Sequence, residues 1–241
     1  MSARVPTAMS RDRALDLLTR GEISIKGRMP WSSNVTLLAE LALAKTTGLA
    51  VYKPYRGERP LWDFPPGLGK REVAAYRLSE ALGWGLVPPT VLREGPHGEG
   101  SLQLFVDADF EQHYLTLAEQ PEHRERLQQI CVFDLLTNNA DRKSGHCLLG
   151  KDGCIYAIDN GLTFHVDAKL RTVIWDFAGE RIPRVILEAL ERLLHQGLPA
   201  DVADLIEQDE QRALVRRGSA LMKMTRFPKD ASGERYPWPL V

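Results

Sequence analysis

Three things are scarce in this chain: surplus charge of one sign, cysteine and long apolar runs. Among its 241 residues, 31 lysines and arginines nearly balance 32 aspartates and glutamates, so the formal net charge is -1. This balance argues against a nucleic-acid-binding domain and against a polybasic membrane-binding module, because both usually carry excess positive charge. It does not exclude a local basic pocket.

The three cysteines are too few and too irregularly spaced for a disulfide framework or a cysteine-rich zinc site. They are typical of buried thiols in a reducing compartment, so we expect a cytoplasmic protein. The most apolar stretch, residues 35–52, is interrupted by Glu40 and Lys45, and no apolar run opens the chain. We therefore expect neither a signal peptide nor a transmembrane helix.

What is present is the composition of an ordinary globular protein, with 44% apolar and 26% charged residues. The first part predicts a β-rich lobe that ends near Asp107, opened by a helix from the N-cap Ser10 to Arg20. Residues 35–44 read as a strand but also fit a helix. The other elements predicted in this lobe are strands at 23–25 and 49–53, a helix over 70–82 and a hairpin of 90–93 with 101–106.

The second part, residues 108–241, predicts a mainly helical lobe, so we expect an α+β fold with domains 1–107 and 108–241. An irregular tail begins at Phe227. The elements predicted before it are helices at 111–119, 121–137, 183–196, 199–207 and 208–224, and a hairpin of 146–150 with 154–158.

Two polar loops bracket this second hairpin. If it turns at 151–153, the register places His146 opposite Ile158 and gathers Asp141, His146 and Asp159 at its open end. Phosphoryl transfer needs such a set, because a carboxylate orients the attacking hydroxyl and oxygen or nitrogen ligands hold a divalent ion. Taken singly, each acid is more often a capping or turn residue.

Lys53 ends an apolar strand and needs an anionic partner if it is buried. In a nucleotide site its partners are the α- and β-phosphates and a helix carboxylate, for which Glu72 is the candidate. The alternative is a surface lysine at a strand end. Ser32 and Ser33, in the loop 27–34, are candidates to cover the phosphates together with backbone N–H groups, although the loop has only one glycine.

The strand 100–107 closes the first lobe, where an adenine can pair with backbone groups between apolar walls. Its candidate nucleotide contacts are Gln103, Phe105 and Val106. Taken individually, these residues also fit an ordinary edge or core strand.

The order of these elements resembles the phosphatidylinositol 3-/4-kinase superfamily, most closely the type II phosphatidylinositol 4-kinases, over roughly residues 20–185. The strings that carry the resemblance are Gln103-Leu104-Phe105-Val106, Asn139-Ala140-Asp141-Arg142 and Ala157-Ile158-Asp159-Asn160-Gly161-Leu162. The helix from Arg71 to Gly83 is similar to one in HipA-type kinases. More narrowly, the chain resembles an uncharacterised actinobacterial branch of the superfamily.

The resemblance implies a two-lobed kinase fold with ATP in the cleft and Mg²⁺ or Mn²⁺ as the metal. Lys53 is then the phosphate ligand, Glu72 orients Lys53, and Asp141 with Arg142 forms the catalytic pair. Asp159 is then the metal ligand. The second metal ligand of the family is an asparagine five residues after the catalytic aspartate, and His146 stands there; imidazole is a softer ligand that suits Mn²⁺ or Zn²⁺ better.

We therefore expect an ATP-dependent phosphotransferase whose acceptor is a hydroxyl of a soluble small molecule or protein. A phosphoinositide is less favoured, because the segment 54–69 lacks the cysteine-rich insert of the animal lipid kinases. We expect no nucleic-acid partner and no integral membrane association. The alternatives are an ATP-binding pseudokinase, an AMP-transferring enzyme on the same fold, and a non-enzymatic interaction protein.

Overall fold

The computed structural model describes residues 9–30 and 34–241, and the chain divides into two compact units. The first unit runs up to Arg59 and resumes at Pro89–Phe105. The second comprises Pro60–Pro88 and Val106–Val241. The predicted division at residue 107 differs from this one chiefly in the segment 60–88, which the prediction assigns to the first lobe and which groups with the second unit.

A five-stranded antiparallel sheet forms the first unit, in the order β1-β2-β3-β5-β4. Residues 35–44, whose pattern fits either a strand or a helix, contain strand β2, in which burial alternates over the first five positions because one face covers the core. The strands are β1 (Glu22–Arg28), β2 (Leu37–Leu43), β3 (Thr46–Pro54), β4 (Thr90–Gly95) and β5 (Gly98–Leu104).

Helix α1 (Arg11–Arg20), which the sequence predicts, packs against this sheet. The Ser10 side chain accepts a hydrogen bond from the Arg13 N–H at 3.4 Å, and the Gly21 N–H donates back to the Leu17 carbonyl at 2.8 Å. Both ends of the helix are therefore capped. The buried residues of this core are Leu17, Leu18, Leu37, Ala39, Leu41, Ala50, Tyr52, Val91 and Leu102.

The hairpin of β4 and β5 is tighter than predicted, because its strands extend to the pair Gly95 and Gly98. Gly98 has φ of +96°, a conformation that favours glycine. Further along β5, a Cβ on Gly100 would lie 2.4 Å from the Lys53 carbonyl, so only glycine allows β5 to pass β3 at this distance. The glycines of this hairpin thus fix the position of the strand that carries Lys53.

The second unit is mainly helical, as predicted, with a small sheet in the order β6-β7-β8. The predicted helix 199–207 is shorter than expected and ends at Ala203, where the Gln211 side chain donates to the carbonyls of Ala203 and Ile206, at 2.9 and 3.0 Å. The predicted helix 111–119 also forms only one turn. The elements are α2 (Leu68–Ala81), β6 (Ala108–Asp109), α3 (Tyr114–Leu117), α4 (Arg124–Thr137), β7 (Cys147–Gly150), β8 (Ile155–Ala157), α5 (Arg184–Gln196), α6 (Ala200–Ala203) and α7 (Gln208–Met224).

A buried ion pair links α2 to α7 within this unit. The Arg71 guanidinium contacts the Glu210 carboxylate, and both side chains are 6% exposed. Arg71 also donates to the Thr163 carbonyl and lies over the Phe64 ring, 5.1 Å from its centre. None of the described helices is long and apolar enough to cross a membrane.

Candidate active site

The strands β7 and β8 bring two polar loops together at the open end of their hairpin. Cys147 pairs with Ala157 across the ladder, and the Ile158 N–H donates to the His146 carbonyl at 2.9 Å. The predicted register of this hairpin is therefore confirmed. Directly beyond it, Nε2 of His146 lies 3.4 Å from Oδ2 of Asp159.

Asp141 lies beside this pair, in the loop between α4 and β7. Its backbone N–H donates to the Asn139 side chain at 2.9 Å, and its carbonyl oxygen lies 3.0 Å from Nδ1 of His146. Nζ of Lys143 lies 3.3 Å from the Asp141 carboxylate, which is 29% exposed. Asp141, His146 and Asp159 are thus close together, at the end of the hairpin where the register predicts them.

The contacts of His146 define the orientation of its ring. Nδ1 lies 3.0 Å from the Asp141 carbonyl oxygen and 3.4 Å from the backbone nitrogen of Lys143, so backbone groups of the loop hold the ring on this side. On the other side of the ring, Nε2 lies 3.4 Å from Oδ2 of Asp159. One imidazole nitrogen and one carboxylate oxygen fit Mg²⁺ or Mn²⁺, and the nitrogen favours Mn²⁺.

Two protein ligands do not complete the coordination of a divalent ion. Within residues 9–30 and 34–241, no group of three or more His, Cys, Asp or Glu side chains is placed to hold a metal ion. Magnesium sites that bind nucleotides commonly have this composition, with one or two carboxylates from the protein and the other oxygens from water and phosphates. The pair therefore fits a metal that arrives with a nucleotide better than a permanently bound structural ion.

The environment of Asp141 makes its carboxylate more basic than usual. Burial raises the pKa of Asp141 above its ordinary value; Lys143 acts in the opposite direction, and the negative charge of Asp159 raises the pKa further. A carboxylate with a raised pKa is a better proton acceptor. This position can thus serve as a general base for a hydroxyl group.

Arg142 has a different environment from its neighbour Asp141, because its side chain is fully buried. Nη1 donates to the Ile158 carbonyl at 2.6 Å, and Nη2 donates to Oδ1 of Asn160 at 2.6 Å. Nε and Nη2 also donate to the carboxylate of Asp134 at 2.9–3.1 Å. With all three nitrogens bonded to protein acceptors, Arg142 holds this loop in position, and its predicted catalytic role stays a prediction.

Asp134, on α4, is the residue of this network that the sequence analysis missed. Its carboxylate accepts from Arg142, from the Asn139 amide at 3.1 Å and from the Thr172 hydroxyl at 3.3 Å, and it is fully buried. Burial raises the pKa of Asp134, while the guanidinium acts in the opposite direction. The available signal was a charged residue within an otherwise apolar helical run, residues 130–136.

The turn after β8 is held from three sides. Asp159 has φ of +56°, and the next residue, Asn160, donates through its side chain to the Ala157 carbonyl at 3.0 Å and accepts from Arg142. Its backbone N–H donates to the carboxylate of Glu72 at 2.9 Å. Glu72 is thus bound to the turn that carries Asp159, a contact that the sequence analysis did not predict. Its predicted role toward Lys53 stays a prediction.

The residues predicted to bind the nucleotide from the first unit lie on its sheet. Lys53 is half-buried on β3, opposite Ser101 of β5. The Gln103 side chain donates to the Thr90 hydroxyl at 2.9 Å, and the Phe105 N–H donates to the Leu49 carbonyl at 2.9 Å.

These hydrogen bonds commit the Gln103 amide and the Phe105 N–H to the sheet. The next residue, Val106, is half-buried and begins the second segment of the second unit. Ser32 and Ser33 lie outside the described residues. The nucleotide roles of this group stay predictions.

The segment that follows the Asp159 turn pairs with the loop that carries Asp141. The Ala140 N–H donates to the Leu162 carbonyl at 2.8 Å, and the backbone of Arg171 binds both Asn139 and Arg142 at 2.9–3.0 Å. A short parallel bridge joins Arg142 to Thr172. The loop that carries Asp141 therefore also holds the backbone of residues 171–172.

No protein-family model matches the chain. Among solved structures it is similar to hydra Fam20 with sugar, with a TM-score of 0.60 and 15% identity over 93% of this chain and 91% of that one. It is similar to the proinflammatory kinase CtkA of Helicobacter pylori, with a TM-score of 0.53 and 15% identity over 86% and 94%. It is also similar to the Golgi casein kinase with Mn/ADP bound, with a TM-score of 0.56 and 17% identity over 96% and 80%.

These likenesses show the fold, which is protein-kinase-like. The predicted fold class, α+β with a β-rich N-lobe and a mainly helical C-lobe, is confirmed. The predicted resemblance to phosphatidylinositol kinases is confirmed at the coarser level of a kinase-like fold.

A curated relative covers almost the whole chain. Protein Rv2133c of Mycobacterium tuberculosis is 40% identical to it over 95% of this chain and 96% of the relative. At that identity and coverage the two proteins share one fold and one ancestry. This chain, with its kinase-like fold, therefore belongs to the family of Protein Rv2133c.

Proposed function

We propose that this protein is an ATP-dependent phosphotransferase that transfers the γ-phosphate to a hydroxyl of a soluble small molecule or a protein. The observation that carries the proposal is the cluster at the end of the β7–β8 hairpin. There a carboxylate of raised pKa, Asp141, lies beside the pair of His146 and Asp159, whose imidazole nitrogen and carboxylate oxygen are of the types that ligate divalent cations. Phosphoryl transfer uses this combination of a base and metal ligands.

ATP with Mg²⁺ or Mn²⁺ supplies an electrophilic phosphoryl group and neutralises the charge that develops on it. Asp141 orients the acceptor hydroxyl and takes its proton as the oxygen–phosphorus bond forms and ADP departs. Asp159 and His146 hold the cation. The Mn/ADP described for the Golgi casein kinase supports the use of Mn²⁺ in the first assays.

The buried network gives these residues fixed positions. Arg142 binds Asp134 on α4, the carbonyl of Ile158 at the end of the hairpin and the side chain of Asn160 in the turn after β8. One guanidinium thus sets the distance between the loop of the base and the turn of the metal ligand. Pre-organised positions of this kind reduce the reorganisation that accompanies transfer.

Three finer parts of the proposal come from the sequence, and the first of them rests on the resemblance. Lys53 binds the α- and β-phosphates, Glu72 orients Lys53, and Ser32 and Ser33 cover the phosphates. The protein is cytoplasmic. A phosphoinositide head group is a less favoured acceptor than a soluble molecule or a protein.

The first test measures nucleotide affinity by calorimetry, with Mg²⁺ and then Mn²⁺. Asp159→Asn removes a cation ligand, so we expect metal-dependent ATP affinity to fall by about 10-fold or more. Asp204→Asn is the matched control, because Asp204 is an exposed aspartate at the end of α6. ATP affinity that is equal in all three proteins would contradict the metal assignment.

The second test measures transfer of phosphate to protein and small-molecule hydroxyl acceptors. Asp141→Asn removes the base but no cation ligand, so we expect the rate to fall by about 10²- to 10⁴-fold while ATP affinity stays within about 2-fold. An equal loss of rate and affinity would show that Asp141 binds the nucleotide instead.

A pseudokinase is the second candidate, favoured by the imidazole at position 146. In that case ATP raises the melting temperature, but no divalent ion supports turnover. AMP transfer on the same fold is the third. Intact-mass spectrometry after incubation with ATP separates phosphate from AMP by the mass added to the protein.

A further inference from the structure

The C-terminal tail segment, residues 227–241, follows helix α7 and lies on the second unit. It begins with the buried Phe227, whose ring lies 5.5 Å from that of Phe177. The Asp230 carboxylate then accepts from the N–H of Ser232 and from the N–H of Arg235, both at 3.0 Å. The hydrogen bonds of this turn join residues of the tail to one another, and the Arg235 carbonyl takes no part in them.

Two carbonyls of the tail bind the part of the second unit that carries the candidate catalytic loop. The Arg235 carbonyl accepts from the Thr172 N–H at 3.0 Å and from the Trp175 indole at 3.3 Å. The Leu240 carbonyl accepts from the Ser144 N–H at 2.7 Å. These three donors, the N–H groups of Ser144 and Thr172 and the indole N–H of Trp175, form a donor row that binds backbone carbonyls of a polypeptide segment.

This donor row lies next to the residues of the proposed reaction. Ser144 lies in the loop between Asp141 and His146. Thr172 is bridged to Arg142, the residue after Asp141, and its hydroxyl donates to Asp134. A polypeptide bound to the row is therefore held against the loop of the proposed base.

The tail is held mainly by its backbone. After residue 230 only Pro237 is buried, whereas Tyr236 is 44% exposed and Trp238 is 88% exposed. The one ring contact in this stretch joins Tyr236 to Trp175, with centres 6.5 Å apart. Backbone carbonyls are common to all polypeptides, so an exposed segment held in this way can be displaced by another chain.

We propose that the donor row is a polypeptide-binding surface, that the tail segment is its ligand within the chain, and that an acceptor polypeptide takes the place of the tail. The last part rests on the proposed phosphotransferase function and selects a protein hydroxyl as the acceptor. The tail then competes with the acceptor for the same three donors.

The binding part is tested on the full chain by hydrogen exchange at the Ser144 and Thr172 amides. Tyr236→Ala removes the ring contact with Trp175, so we expect both amides to exchange about 2- to 10-fold faster, the loss that one aromatic pair implies. Trp238→Ala is the matched control, since it removes a larger aromatic side chain from the same segment where it is 88% exposed. We expect its exchange rates to equal those of the parent chain.

A labelled synthetic peptide of residues 230–241 is then added to the Tyr236→Ala chain. We expect it to bind saturably by fluorescence anisotropy and to restore protection at both amides, whereas the same peptide with Tyr236→Ala binds about 2- to 10-fold more weakly. Equal exchange in all three chains together with no peptide binding would overturn the surface.

The acceptor part is tested by phosphate transfer to a generic protein acceptor. We expect Tyr236→Ala to raise the rate at low acceptor concentration, and the added peptide to inhibit it competitively. Peptide binding with no effect on transfer would overturn the acceptor part alone. Peptide binding with no transfer to any acceptor would refute the proposed phosphotransferase and the acceptor part, while the binding surface would stand.

Discussion

Asp134 and Arg142 form an ion pair without solvent contact, and breaking it should destabilise the protein severely. Both side chains are 0% exposed, and the closest nitrogen–oxygen distance is 2.9 Å. The exposed pair of Asp16 and Arg20 has the same 2.9 Å distance, with side chains 47% and 68% exposed. The two pairs share this closest distance but differ in burial and in hydrogen bonding, since Arg142 donates through both Nε and Nη2 whereas Arg20 donates through Nη1.

The expected magnitudes follow from that difference. Asp134→Ala leaves a guanidinium buried beside the carbonyl of Ile158 and the side chain of Asn160, with no counter-charge, so the free energy of unfolding should fall by about 3–5 kcal/mol. Asp16→Ala removes an exposed pair one helical turn apart, which contributes about 0.3–0.5 kcal/mol. Since the free energy of unfolding of a domain is about 5–15 kcal/mol, the loss expected for Asp134→Ala is a large fraction of the total.

The measurement is urea unfolding followed by circular dichroism, for the parent chain, Asp134→Ala, Asp16→Ala, Arg142→Met and the double variant Asp134→Ala/Arg142→Met. Removing both charges leaves no uncompensated ion, so the double variant should be more stable than the sum of the single losses predicts, by about 1–3 kcal/mol. If Asp134→Ala cost less than about 1 kcal/mol, or if the losses in the double variant were additive, the buried pair would not hold the loop.

Two further changes test other contacts. Ser79 is fully buried, and its hydroxyl accepts from the N–H groups of Leu86 and Val87 at 2.7 and 3.3 Å. Ser79→Ala should therefore lower the free energy of unfolding, measured by urea titration, by about 1–3 kcal/mol. A change below about 0.5 kcal/mol would mean that water replaces the hydroxyl. The hydrogen bond from Lys169, at 3.0 Å, lowers the pKa of Asp63 below its ordinary value, so the pair stabilises the fold above that value and its contribution is lost as the pH falls through the lowered pKa. Asp63→Asn should therefore be less stable than the parent chain by up to about 1 kcal/mol at pH 7, and the difference should vanish near pH 2. Urea titrations at both pH values measure it. A difference in the free energy of unfolding that persists at the lower pH would exclude the ion pair as its cause.

Local patterns in the sequence predicted most of the secondary structure. The hairpin register followed from one turn assignment, because pairing across an antiparallel ladder is fixed once the turn is fixed, and Cys147 lies opposite Ala157 as that register requires. The same register places His146 and Asp159 together, although 13 residues of sequence separate them. Ser10 and Gly21 marked the ends of α1 through caps that depend on neighbouring residues only.

Contacts over long sequence separations could not be predicted. Glu72 and Asn160 are 88 residues apart, and Arg71 and Glu210 are 139 residues apart. The hydrophobic periodicity of these segments does not identify the partner residue, because a charged residue within a helical pattern also fits a solvent-exposed face of the helix. The grouping of residues 60–88 with the second unit follows from such contacts, since Arg71 and Glu72 both bind residues of that unit.

The two neighbours Asp141 and Arg142 show why a sequence motif does not assign roles by itself. The resemblance treats them as one catalytic pair, yet the carboxylate is 29% exposed and the guanidinium is 0% exposed. The difference originates in Asp134, eight residues upstream, whose buried charge requires a partner and fixes Arg142 in the interior. With Arg142 anchored there, the Asp141 carboxylate is left at the accessible end of the hairpin. Substitutions at 134 and 142 should therefore act on stability first, whereas substitutions at 141 should act on proton transfer.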